Sequence, residues 1–147
     1  WHAGEQWGLF DEALERMRSA GIVCGFAAHQ HQVQAWIGDH LEPDFQMCSY
    51  YNPTDRSKSA HHQQSGERWE DEDRAAMLDV IATIPRPVVH YKIFAGGNKP
   101  IVPAFATLGR AMREADVALI GVFLKDDPDL IAKDVDLFDE HVDAVLA

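Results

Sequence analysis

The chain has 147 residues, 46% of them hydrophobic and 25% charged, the balance of one globular domain with an ordinary core. Twenty-four acidic residues against thirteen Lys and Arg leave a formal charge of −11. That argues against nucleic acid or an anionic membrane as the main partner, because both attract basic surfaces. A single basic pocket is compatible with this total, so a phosphorylated small molecule stays among the ligands to consider.

No apolar run approaches the roughly 18 residues needed to span a bilayer. The opening WHAGEQWGLFDEALERM is acidic and amphipathic, unlike the basic-then-apolar pattern of a signal peptide. Cys24 and Cys48 stand in apolar runs and form no disulfide framework, so free thiols in a reducing cytoplasm are expected.

The apolar spacing then alternates between two periods. Residues 5–19 place Trp7, Leu9 or Phe10, Leu14 and Met17 at helical spacing, and Gly21 ends that helix as Gly does at a C′ position. IVCGFAA (22–28) is a near-continuous apolar run, as expected of a strand covered on both faces. Helical spacing returns over 30–41 through Val33, Trp36, Ile37 and Leu41. DFQMCSYY (44–51) reads as a second strand, and residues 52–73 are too polar for a core, with His61 and His62 read as solvated.

Residues 74–84 predict a helix whose acidic start, Glu70 to Asp73, suits the helix dipole. PVVHYKIF (87–94) predicts a third strand closed by Gly96 and Gly97, followed by a helix over 103–115 that opens with Pro. VALIGVF (117–123) is the fourth strand, and Asp127 with Pro128 looks like the N-cap and first residue of a last helix to about Val145.

This order predicts an α/β fold with a leading helix and four strand–helix units. Four units in under 150 residues correspond to the C-terminal half of a parallel (β/α)8 TIM barrel, which typically takes about 250 residues. Residues 1–147 would then be one partial barrel. Its N-terminal half is expected to lie upstream, because the chain starts at Trp1 with the pattern in mid-cycle. The rival doubly wound sheet usually shows a Gly-rich turn after its first strand, where this chain has AAHQHQ. A half-barrel leaves two strand edges and a concave face open, so it should need its missing half or self-association.

In such barrels the reactive groups gather at the C-terminal ends of the strands. Lys92 shares strand parity with His90 and Phe94, so the three should point to one face. Helix-covered faces are apolar, which makes that face the expected barrel interior. Lys92 there could anchor a substrate anion, donate a proton or form a Schiff base. It could equally bridge interior carboxylates or reach the mouth. His29, the strand-end His, could serve as general base or metal ligand, or as a hydrogen-bonded structural residue. No set of ligands from several strand ends accompanies it, so no metal is expected. Gly96–Gly97 could present backbone N–H groups to a phosphate, or form a plain tight turn. No HExxH, CxxC, GxSxG or Walker-type motif occurs.

Four segments in order, GIVCGFAAHQHQVQAW (21–36), DFQMCSYYNPTDR (44–56), VVHYKIFAGG (88–97) and ALIGVFLKDDPDLIAKDVDLF (118–138), resemble the second half of the aldo/keto reductase barrel. An aldolase-type barrel family with a K-I-x-A-G strand fits comparably. The reductase resemblance implies a nicotinamide cofactor, NAD(P), lying across these strand ends. By it, Gln46 matches the family's strand Gln, Tyr50 lies near its stacking position, and Gly96 and Gly97 match its Gly-rich seventh strand end. Gly121 and Pro128 fit the last unit, with Asp129 at the usual Glu and Asp134 at the usual Asn. The family's Ser-Asn pair falls at Ala28 and His29. Its reader of a 2′-phosphate falls at Phe123 and Leu124, with Lys125 one step on beside Asp126 and Asp127, two acids that would repel a 2′-phosphate. The family's catalytic Asp, Tyr, Lys and His would precede residue 1.

Three functions follow as expectations. The first is the cofactor-side half of an aldo/keto reductase-like oxidoreductase. The second is a non-redox barrel lyase, aldolase or isomerase acting on a phosphorylated or carboxylated metabolite. The third is a non-catalytic half-barrel. Each of the first two takes a small-molecule substrate.

Overall fold

A computed structural model describes residues 8–53 and 69–146. Trp7, His61 and His62 therefore lie outside the described residues. A leading helix α1 (Gly8–Ser19) is followed by β1 (Gly25–Ala28), α2 (His31–His40), β2 (Phe45–Ser49) and α3 (Asp71–Ile81). Then come β3 (Val88–Tyr91), α4 (Ile101–Ala111), β4 (Val117–Leu119) and α5 (Leu130–Phe138). From α5 the chain runs through a π-type segment, Asp139–Asp143, into a last helical turn at Ala144–Leu146. Gly21 ends α1 with a φ of 74°, the left-handed C′ geometry its position predicts.

All four strands are parallel and lie in the order β1-β2-β3-β4. A doubly wound sheet reverses its strand order at a switch point, and these four strands contain no reversal. The strands are three to five residues long, shorter than the apolar runs that predict them, because each run continues into the loop at its C-terminal end or starts in the one before. Two helix starts also move. α4 begins at Ile101, two residues before Pro103. Asp129, not Asp127, occupies the N-cap of α5, and the Asp127 carboxylate instead accepts the Asp129 backbone N–H at 3.1 Å.

Register shows which face each strand residue takes. Gln46 stands beside Val88 and Phe26, while Cys48 stands beside His90 and Ala28. In a parallel sheet such neighbours share a face. That face is the covered one. Cys48 and Val88 pack there with Met77, Ile81 and Ile84 of and after α3, Phe105 and Leu108 of α4, and Val142. The opposite face carries Ala27, Met47, Val89, Tyr91, Val117 and Leu119. It is open at both margins among the described residues, with Val117 and Leu119 55% and 51% exposed.

This corrects the expected placement of His90 and Lys92. His90 is fully buried beneath the helices rather than on the open face. Lys92 shares no face with it, because β3 stops at Tyr91 and Lys92 takes a φ of 57°. The inference failed because it took helix-covered positions to be apolar. A polar side chain whose bonds are all met can occupy them equally well.

The covered face in fact carries two polar staples. Gln34 of α2 donates to the Met47 carbonyl at 2.6 Å, and Gln46 donates to the Gln34 side-chain and backbone oxygens at 2.8 and 2.9 Å. The second runs from Tyr50 through His90 to Asp116. The Tyr50 hydroxyl lies 3.1 Å from His90 Nδ1, and His90 Nε2 lies 3.3 Å from Asp116 Oδ2. A carboxylate only accepts, so Nε2 carries the proton and Nδ1 accepts from Tyr50. Burial holds the His90 pKa below its ordinary value despite Asp116.

Candidate functional site

A cleft of about 620 Å³ opens at the C-terminal ends of β3 and β4. One wall is the segment after β3, with Lys92, Phe94, Gly96, Gly97 and Lys99. The other is the stretch from Leu119 through Gly121 to Phe123, and Leu130 and Asp134 of α5 also line it. Five residues singled out from the sequence therefore meet here: Lys92, Gly96, Gly97, Gly121 and Asp134.

Four others do not join them. His29 follows β1, where its ring stacks at a tilt on Tyr91, centroids 5.7 Å apart. Gln46 is fully buried on the covered face, and its amide is committed to Gln34, with Arg86 3.4 Å from its oxygen. Tyr50 is equally buried and hydrogen-bonded to His90. Burial, reinforced by the charge of Asp116, pushes the Tyr50 hydroxyl well above its ordinary pKa, so it stays protonated. Lys125 lies exposed in the loop before α5 and does not line the cleft.

The segment from 92 to 97 holds four left-handed residues, Lys92 (57°), Ala95 (52°), Gly96 (61°) and Gly97 (90°). Two of these are not glycine, a costly backbone that is found mostly where function or packing demands it. The path turns Lys92 back over the indole of Trp69, with Nζ 5.5 Å from the ring centroid. Trp69 also abuts Gly96, where an added Cβ would stand 3.3 Å from the indole. Glycine is thus demanded at 96 by both backbone and space.

The same turn limits what Gly97 can do. Its N–H donates to the Phe94 carbonyl at 2.9 Å, and the N–H groups of Asn98 and Lys99 close on Ala95 and Phe94 at 3.1 and 3.2 Å. These amides satisfy the turn itself, so an anion in the cleft would be met by side chains rather than by the Gly97 backbone.

Positive charge is concentrated beside the cleft. Lys99 Nζ forms a 2.7 Å ion pair with Asp71 and stands 5.7 Å from the Tyr51 ring centroid. Arg74 lies 3.4 Å from Asp71 and donates to the Tyr51 hydroxyl at 3.0 Å. Three cations, Lys92, Lys99 and Arg74, thus surround Trp69 and Tyr51, with Asp71 paired to Lys99 and Arg74. The hydrogen bond from Lys99 lowers the Asp71 pKa and raises its own.

Sequence reasoning missed Lys99, Trp69 and Arg74. Lys99 follows Gly96–Gly97 closely enough to have been considered as part of that turn, whereas Trp69, just before α3, and Arg74, within it, carry no sequence signal of their own. No group of three or more His, Cys, Asp or Glu among the described residues is placed to hold a metal ion. No helix among the described residues is long and apolar enough to cross a membrane. No known protein family, curated protein or solved structure matches this chain, so the chemistry of the cleft is read from its own residues.

Proposed function

We propose that the chain is half of a (β/α)8 barrel enzyme, and that the cleft at the ends of β3 and β4 binds a small phosphorylated or carboxylated metabolite. The observation that carries this reading is the gathering of Lys92 and Lys99 on one strand-end cleft in a chain of formal charge −11. Barrels of this class commonly hold phosphate in the loops after their last strands. Lys92 is the group assigned to the ligand anion. Lys99 is neutralised by Asp71, whereas Lys92 rests against an aromatic face, from which a ligand can draw it at little cost. From the same place it could serve a lyase, aldolase or isomerase as proton donor or Schiff-base amine.

Trp69 offers a direct readout. Its fluorescence is expected to change when inorganic phosphate or a phosphate ester fills the cleft, and Trp69→Phe should remove that change. Lys92→Ala should weaken binding about tenfold, or about 1.4 kcal/mol. Absence of any phosphate- or carboxylate-dependent signal would sink the reading.

A second reading, the cofactor-side half of an aldo/keto reductase-like oxidoreductase, is favoured by the meeting of Gly96, Gly97, Gly121 and Asp134 in one cleft. The withdrawal of Gln46 and Tyr50 to the covered face leaves the nicotinamide end without two contacts the resemblance implies. Quenching by NADH that survives Lys92→Ala would favour this second reading.

The half-barrel proposal makes its own prediction. The open apolar face, and the edges of β1 and β4 that no strand covers among the described residues, favour association, so the 147-residue chain is expected to sediment as a dimer or larger. A monodisperse monomer at micromolar concentration would count against a half-barrel.

A further inference from the structure

Asp134 lines the cleft as a buried acid whose hydrogen bonding is incomplete among the described residues. It is 7% exposed, and neither of its carboxylate oxygens has a hydrogen-bond partner among the described residues. A carboxylate can accept about four hydrogen bonds, and a buried one with none is an exception that needs a reason. The nearby cations among the described residues do not supply it. Lys133, next in sequence, is turned to Asp127 at 2.6 Å, Lys99 is paired with Asp71, and Lys92 lies over Trp69. The other charge near Asp134 is a second acid, Asp127.

We infer that the ligand of this cleft carries, besides its anion, an ammonium or amine group that docks on the Asp134 carboxylate. The inference rests on the reading of the cleft as an anion site and narrows its ligand to a small phosphorylated or carboxylated amine. Lys92 and Asp134 line the same cleft with opposite charge, so a zwitterionic ligand is met at both ends. A purely anionic ligand would leave Asp134 unpaired. An ammonium supplies three donors where the described residues supply none.

Burial, and then the charge of Asp127, raise the Asp134 pKa. The free protein therefore holds this proton more tightly than an ordinary aspartate does. Docking a cation favours the ionised form and offsets the cost of burying it.

Calorimetric titration of the 147-residue chain with O-phosphoethanolamine and with ethyl phosphate tests this directly, because the two probes differ by the amine. β-Alanine and propionate run the same comparison for a carboxylate anion. The amine-bearing probe of at least one pair is expected to bind ten times more tightly than its partner. In Asp134→Leu and Asp134→Asn the preference should vanish, while the amine-free probe keeps its affinity within twofold.

Asp134→Leu should also melt about 2–4 °C above the parent at pH 7, since it removes an unpaired buried carboxylate. A preference that is absent from the parent protein, or that survives in Asp134→Leu, overturns the inference and leaves the anion site standing. A lowered melting point overturns it too, because the carboxylate would then have a stabilising partner. If neither the probes nor inorganic phosphate bind, or if Lys92→Ala changes nothing, the anion site fails and the inference falls with it.

Discussion

Asp116→Ala is expected to destabilise the fold by about 3–5 kcal/mol, the range for removing one partner of a buried ion pair. Asp116 immediately precedes β4 and joins three parts of the molecule. Its Oδ1 accepts the Val88 backbone N–H and Arg113 Nη2, each at 2.8 Å. Its Oδ2 accepts Arg113 Nε at 2.8 Å, the Arg113 backbone N–H at 3.0 Å and His90 Nε2 at 3.3 Å. Arg113 in turn donates to the carbonyls of Ile84 and Arg86. Truncation strands the Val88 and His90 donors in the core and leaves Arg113 half satisfied. Urea unfolding measures the loss, and a change below about 1 kcal/mol would show that the network carries little of the stability.

The same network dictates the direction of the pH dependence. Burial opposes ionisation of Asp116, but the hydrogen bonds from Arg113, Val88 and His90 prevail and hold its pKa below the usual carboxylate range. His90 is likewise held below its ordinary value, chiefly by burial. A depressed folded pKa means that the unfolded chain binds the proton more readily. Both contributions are therefore complete above the unfolded pKa values, about 6.5 for His and about 3.9 for Asp, and are lost as pH falls. Melting temperature should decline below about pH 6.5, and His90→Gln should flatten the first part of that decline.

Gly109→Ala is expected to destabilise by about 3 kcal/mol, at the upper end for overpacking. In an ordinary helix this change stabilises by about 0.8–1.0 kcal/mol, so here the sign itself is the test. An added Cβ at Gly109 of α4 would collide with the backbone carbonyl of His141 in the last helical segment. Backbone cannot swing aside as a side-chain tip can. Gly38→Ala in α2 is the matched control, since its Cβ would meet Gln46 Oε1 at an ordinary 3.7 Å. Thermal melts should show the first variant falling and the second unchanged or higher. A stabilised Gly109→Ala would mean that the last segment does not rest on α4.

Burial makes the two cysteines poor targets. Cys48 lies fully buried in the core, and burial, with the charge of Asp116, pushes its thiol up to about 12. It is a packing residue rather than a nucleophile. Cys24 is buried as well, with its Sγ 3.3 Å from the Ile22 carbonyl.

Element type and order were legible in the sequence because they depend on local spacing. Near-continuous apolar runs such as IVCGFAA and helical stripes such as Leu14 with its neighbours mark strand and helix wherever they finally pack. Residues that follow parallel strands emerge at one end of the sheet, which brings Lys92, Gly96, Gly97 and Gly121 to one cleft, while Asp134 arrives there on α5. What only the tertiary structure decided is which face each strand buries and which polar groups find one another. His90, Gln46 and Tyr50 vanish beneath the helices because Asp116 satisfies His90, Gln34 satisfies Gln46 and His90 satisfies Tyr50 there. Lys99 pairs with Asp71, and Trp69 comes to lie against Gly96 and Lys92, only through the packing of the start of α3 against the loop after β3. Periodicity is a property of neighbouring residues along the backbone, whereas burial of a polar side chain depends on partners that only the folded chain brings close.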